Sequence, residues 1–391
     1  MVNKFRFSRI PEIHFGIGSV SKASRLLKNY GNNILIVTGK SAFSNSEWGN
    51  SFIVDICDKG INYEIFTVAN EPTTKMVDEA SAVFGSYPPD AIISLGGGST
   101  IDAGKAISAI IAVNGKTWDY LEGNPKKKPH SGKKIPFIAV PTTAGTGSEA
   151  TKNAVLSTTG DPVFKRSLRH DNFVPDIAII DPELTLGCPP DVTAASGLDA
   201  ITQLLEAFVS TEASAMTDIL AYNGLELALR SIRRVYEDGN DIGARSDMAY
   251  AAMLSGIVLA NSGLGPVHGF ASVIGGYYGI PHGVICGSLL GAVTRSNIRN
   301  QKGQVFSSNY LQKYIVVGKL LSPEKDKSDN FYLTLLIDLL DELIDDLHIP
   351  RLGKYGIKAA EISAIALETG IKNNPVNLDK DDLQQILKSR L

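Results

Sequence analysis

The chain is poor in the residues that mark secreted, membrane-bound or nucleic-acid-binding proteins. It has three cysteines in 391 residues, Cys57, Cys188 and Cys286. They are odd in number and far apart, with no CxxC pair. They suggest neither a disulfide framework nor a thiolate zinc site, and they fit a reducing cytoplasm. An excess of charge of one sign is missing too: 38 basic and 41 acidic residues leave a formal charge of −3. No global basic field draws in nucleic acid. Long apolar runs are absent. The most apolar stretch, residues 249–260, is broken by Ser255 and Gly256, whereas a membrane span needs about 20 apolar residues. It reads as a buried core helix. The N-terminal MVNKFRFSRIPEIHFG has no apolar centre and is not read as a signal peptide. The expectation is a cytoplasmic protein without membrane or nucleic-acid partners.

What is present is glycine, 37 residues of 391, above the average of about 7%. The length predicts two or three domains, and the rhythm of the sequence settles on two. Residues 33–38, 63–68, 91–95, 136–140 and 177–180 are short apolar runs, each ending near Gly, Pro or Asp-Pro. Stretches with helical spacing, 21–30 and 74–84, lie between the early ones. Apolar runs alternating with helices imply a parallel sheet covered on both faces. After Pro189-Pro190 the pattern is helical, through 191–211, 217–236, 331–347 and 359–367. The fold class is therefore α/β plus all-α. A Rossmann-like parallel-sheet domain (1–188) precedes a helical domain (189–391). The lysine-rich 126–134 reads as a solvated loop.

Two glycine-bearing clusters follow apolar runs. Gly96-Gly97-Gly98-Ser99-Thr100 precedes a helical pattern that holds Asp102 and Lys105. Glycines let backbone approach a ligand, and the amides at a helix start favour an anion such as a diphosphate. The second cluster, Pro141-Thr142-Thr143-Ala144-Gly145-Thr146-Gly147-Ser148-Glu149, offers hydroxyls to ribose, phosphate or carboxamide. Both fall at strand C-terminal ends, where ligands bind in open α/β sheets.

The helical half carries donors with metal-ligand spacing. Asp199 and Gln203 are four apart and share a helix face. His268 and His282 are separated by a turn signal and can face one site from two helices. Two imidazoles and a carboxylate suit a divalent transition metal.

With these segments in hand, the chain resembles the iron-containing, or group III, alcohol dehydrogenases. The carrying motifs are GGGSTIDAGKA (96–106), PTTAGTGSEAT (141–151), DPEL (181–184), GLDAITQLLEAFVS (197–210) and HGFASVIGGYYGIPHG (268–283), in family order. The resemblance implies a dinucleotide-binding domain and a helical domain with metal and substrate in the cleft between, on a fold similar to dehydroquinate synthase. It implies that Gly96, Gly97, Gly98 and Ser99 hold the pyrophosphate, with Asp102 beside them. Thr142, Thr143 and Thr146 then line the nicotinamide ribose region, and Lys165 lies near the ribose. Asn70 and Thr73 fall on the cofactor loop. Asn153, Phe270 and Ser272 are expected to face substrate. Asp199, His268 and His282 are expected as catalytic metal ligands, with Gln203 as the fourth. The metal would be Fe2+ or Zn2+.

Two departures stand out. Gln203 occupies the place of a family histidine, and an amide oxygen ligates more weakly than imidazole. Ser272 stands where many members carry a proton-relaying histidine. Family members with an acid at the strand end favour NAD. Here the run is Thr38-Gly39-Lys40-Ser41, which favours NADP over NAD at Gly39. The function implied is NAD(P)-dependent oxidation of a small alcohol or reduction of an aldehyde, by a homodimer or larger assembly. The alternatives are a metal-free reductase of the maleylacetate type, a cyclase like dehydroquinate synthase, and a nucleotide-binding protein without turnover. The GSEAT and GLDA segments match the alcohol dehydrogenases better than the cyclase, and the intact loops argue against a silent site.

Overall fold

The computed structural model describes residues 4–40, 43–158, 165–301 and 308–391. Ser41, invoked for cofactor choice, lies outside the described residues. The chain divides into two compact units, Ser8–Cys188 and Pro189–Leu391, the second also taking in residues 4–7.

Among the described residues the first unit has eight strands: β1 (Glu12–Phe15), β2 (Asn33–Gly39), β3 (Asn62–Val68), β4 (Ala91–Gly96), β5 (Phe137–Pro141), β6 (Asn153–Ser157), β7 (Lys165–Arg169) and β8 (Ile177–Ile180). Six form a sheet in the order β1-β8-β5-β4-β2-β3, with every pair parallel. Its helices are α1 (Ala23–Lys28), α2 (Glu47–Asp58), α3 (Thr74–Phe84) and α4 (Gly98–Ile111). Strand alternation explains the two cores. Leu35, Val37, Ile92, Phe137 and Ala139 face one apolar cluster, and Ile34, Ile36, Ile93, Leu95, Ile138 and Val140 face the other. A central strand therefore needs apolar residues at every position, which is why these runs are continuous. β3 differs. It lies at the sheet edge and leaves Tyr63 and Ile65 exposed. β6 and β7 form a separate antiparallel pair. Their polar sequences, NAVLS and KRSLR, carry no run of the kind that announces the central strands.

The second unit contains α5 (Pro190–Val209), α6 (Ala215–Glu237), α7 (Ile242–Ser262), α8 (Pro266–Tyr277), α9 (His282–Gln301), α10 (Ser308–Leu321), α11 (Asp329–Asp346), α12 (Ile362–Glu368) and α13 (Lys380–Lys388). Residues 249–260 fall inside α7, which is buried over most of its length. Among the described residues no single helix is long and apolar enough to cross a membrane.

Candidate metal centre and nucleotide-binding loops

In the first unit the ends of three neighbouring strands carry the expected nucleotide residues. β2 ends at Gly39, and the Thr38 hydroxyl donates to the Leu95 carbonyl of β4 (3.2 Å). β4 ends at Gly96, which is in register with Pro141 of β5. The Thr142 amide donates to the Gly96 carbonyl (3.0 Å). Gly39, Gly96–Gly98 and Thr142–Thr146 therefore meet at one edge of the sheet. Gly97 caps α4 in extended conformation with no side-chain hydrogen bond to the helix start, and Ser99 in the first turn is exposed. Amides at a helix start not covered by a capping side chain are suited to an anion.

The glycines serve packing as well as approach. A Cβ on Gly98 would lie 2.6 Å from Thr146 Oγ1, and one on Gly97 would lie 3.2 Å from Thr143 Oγ1. The threonine loop is seated against the glycine turn, so neither can bulk up without displacing the other.

A buried lysine fastens these pieces. Lys105 Nζ donates to the Ser148 carbonyl (2.8 Å) and hydroxyl (3.1 Å), the Thr151 hydroxyl (3.0 Å) and the Asn153 carbonyl (2.8 Å). Burial lowers its pKa to about 8, against the opposing pull of Asp102 and Glu149. Asp102, expected beside the cofactor, is instead taken up by the protein. It accepts from the Ser148 hydroxyl and from the Val155 amide (2.9 Å). Both oxygens help hold α4 on the threonine loop and β6, so Asp102 has a packing role. Lys165 pairs with Glu71 (2.6 Å). That pair ties the start of β7 to the loop of Asn70 and Thr73, and the Ser157 amide donates to Pro72 there (2.9 Å). Asn153 opens β6, half-buried.

In the second unit α5, α8 and α9 bring Asp199, His268, His282 and Cys286 together, with their ligating atoms all within 4.8 Å of one another. α5 is buried almost continuously from Gly197 to Val209. A carboxylate in such a segment is costly unless it meets a cation or donors. Asp199 Oδ1 lies 3.4 Å from His268 Nε2 and 3.6 Å from His282 Nε2, yet it has no hydrogen-bond partner. α9 starts close to α5 because residue 283 is glycine: a Cβ there would lie 2.2 Å from the Ala195 carbonyl oxygen. Burial drives the Asp199 carboxyl upward, but His282, His268 and Cys286 outweigh it and hold the group below the usual carboxylate range. Burial opposes protonation of His268. Cys286, Asp199 and Glu206 overcome that and raise it well above the ordinary imidazole value. Burial pushes the Cys286 thiol up to about 12.

Glu206 accepts from the Val267 amide (2.7 Å) and bonds His268 Nδ1 (2.7 Å). With Nδ1 held by a carboxylate, His268 turns Nε2 toward the cluster, which is how metal-ligating histidines are commonly fixed. A buried carboxylate, two imidazole nitrogens aimed at it and an oxygen without a donor together fit a divalent cation.

Two expectations change here. Gln203 does not aim its oxygen at the cluster. Its Oε1 accepts from the Ser255 hydroxyl (2.9 Å) and its Nε2 donates to Asp199 Oδ2 (3.3 Å), so it supports Asp199 rather than completing a ligand set. Phe270 has no exposed surface. It packs in the core of the unit and does not present a face to substrate, as expected for an aromatic on the inner side of an apolar helix. Ser272 donates to the His268 carbonyl within α8 (2.7 Å), and the residue is exposed. Two site residues escaped sequence reasoning. Glu206 is a lone charge in the apolar LLEAF run, seven residues after Asp199. Cys286 is four after His282, one turn along the same helix face.

The iron-containing alcohol dehydrogenase family model matches residues 11–182, and the model of that family's C-terminal part matches 193–391. Alcohol dehydrogenase 4 of Saccharomyces cerevisiae is 32% identical over 390 residues, covering 97% of each chain. The NADPH-dependent butanol dehydrogenase of Clostridium saccharobutylicum is 30% identical over 98% of this chain and 97% of its own. A solved 1,3-propanediol oxidoreductase superposes with a TM-score of 0.89 at 29% identity, with both chains fully covered. With both units matched, and the site built where the family motifs fall, the chain belongs to the iron-containing alcohol dehydrogenase family.

Proposed function

We propose that the protein is a metal-assisted NAD(P)-dependent oxidoreductase that interconverts a small alcohol and its aldehyde. The observation that carries this reading is the buried Asp199 oxygen, without a donor, facing two imidazole nitrogens at 3.4 and 3.6 Å. When bound, a divalent cation supplies Lewis acidity to an alcohol or carbonyl oxygen, and the nicotinamide exchanges the hydride. The chain's own residues do the placing. Asp199, His268 and His282 hold the cation, with Glu206 orienting His268. The α4 start and Ser99 receive the diphosphate, while Thr142, Thr143 and Thr146 flank it.

For the cofactor we favour NADP. β2 ends in Gly39, which has no carboxylate to repel a 2′-phosphate, and Lys40 beside it is exposed. The clostridial relative is named for NADPH dependence.

The test is turnover of a panel of small aldehydes with NADH and NADPH. Chelated protein should lose activity and regain it with Fe2+ or Zn2+, and His282→Ala should stay silent after reloading. Unchanged turnover after chelation removes the metal from the mechanism. A higher kcat/KM with NADH overturns the cofactor preference.

A further inference from the structure

We infer that Cys286 is the fourth protein ligand of the metal centre, replacing residue 203, and that its thiolate turns the site toward zinc. The inference rests on the metal-assisted reading above.

At position 203 the glutamine oxygen is held by Ser255, and the amide nitrogen faces Asp199. To ligate through oxygen, the amide would have to turn over, leaving Asp199 Oδ2 without its donor inside a buried helix, while Ser255 keeps the Ala252 carbonyl as its acceptor (2.8 Å).

Cys286 has no such conflict. It lies one turn after His282 on α9, is wholly buried, and its Sγ lies 3.8 Å from His268 Nε2. Together with the 3.4 and 3.6 Å separations at Asp199 Oδ1, these are edges of a compact polyhedron. A tetrahedral zinc ion with bonds of about 2.0–2.3 Å spaces its donors roughly 3.3–3.6 Å apart. Three of the observed edges match that spacing to within a few tenths of an ångström. The Asp199 oxygen without a donor is the second, independent sign that something cationic belongs in the middle.

Ligation is a proton exchange. The Cys286 S–H bond breaks as the sulfur–metal bond forms, and the proton leaves to solvent, as for any thiol ligand. No change of oxidation state is involved. Sulfur is a softer donor than an amide oxygen, so an Asp-His-His-Cys set selects zinc over harder ions.

The experiment is a cobalt(II) titration of the metal-free full-length protein. Wild type should bind one equivalent and develop the near-ultraviolet absorption of thiolate-to-cobalt charge transfer. Cys286→Ala should lack that band and bind the ion more than about 100-fold more weakly, beyond the 10–100-fold typical of a residue that only supports a ligand. Adding Gln203→His to Cys286→Ala should restore tight binding without the band. If Cys286→Ala does not fold, X-ray absorption of zinc-loaded wild type reads the same sulfur, at about 2.3 Å. Stoichiometric cobalt binding without sulfur absorption overturns the Cys286 assignment and leaves the metal-assisted reading intact. A protein that takes up neither cobalt nor zinc overturns both.

Discussion

A buried carboxylate earns its place only through its partners, and Glu206 shows what that means for function. It holds the Val267 amide at the start of α8 and the Nδ1 of His268. Glu206→Gln keeps the size and can still accept, but it loses the charge that makes His268 a strong ligand. Metal affinity and turnover should fall together by about 10–100-fold, with the far-ultraviolet spectrum unchanged; affinity is read by competition with a chromophoric chelator. Glu206→Leu should cost more, since it also leaves the Val267 amide without an acceptor. Gln203 shows the reverse case. A residue expected from the family resemblance as the fourth ligand has both ends of its side-chain amide engaged, by Ser255 and Asp199.

At the scale of elements, the start of α4, the threonine loop and β6 form one fastened assembly with Lys105 at its centre. Glu149 lies on the short turn of that loop, buried like the lysine. Burial pushes its carboxyl up to about 7, with its own backbone amide and Lys105 only partly opposing. The folded form thus binds the proton more tightly than the unfolded chain, whose value is near 4.3. This group's contribution to stability is complete below that value and is lost as pH rises through 7. Lys105, lowered by burial to about 8, is charged in the unfolded chain and mostly charged in the folded one over that window. Asp102 is raised as well, again chiefly by burial, so the comparison must be with a Glu149 variant. From pH 4.5 to 7.5, Glu149→Gln should flatten the fall in unfolding free energy by up to roughly 3 kcal/mol, measured by urea titration at each pH. An unchanged slope would show that Glu149 does not carry the dependence.

For the whole molecule, all the candidate metal ligands come from the helical unit, on α5, α8 and α9. A cation binding the folded state but not the unfolded one adds about 4 kcal/mol at a concentration 1,000 times its Kd. Calorimetry of metal-loaded and chelated protein should show the loaded form melting several degrees higher. The shift should be smaller in His268→Ala. The same measurement made with NADP should shift the transition through the other unit, because its glycine turn and threonine loop belong entirely to Ser8–Cys188.

Periodicity carried most of the fold. β2, β4, β5 and β8 announce themselves because a strand buried on both faces must be apolar throughout. The α/β-to-helical change at Pro189-Pro190 is written in the same way. β6 and β7 were not legible, since a short half-exposed hairpin needs no apolar run. Asp199, His268 and His282 were picked out as a set by the family motifs, since a histidine in an apolar helix is by itself more often a hydrogen-bonded core residue than a ligand. Cys286, Glu206 and the real partners of Gln203 and Asp102 were not. Spacing places a residue on a helix face, but which neighbour satisfies a buried polar atom depends on the approach of other helices and strands. Hydrogen-bond partners far apart in the chain, such as Glu206 with His268 or Asp102 with Val155, come into being only when the helices and strands pack.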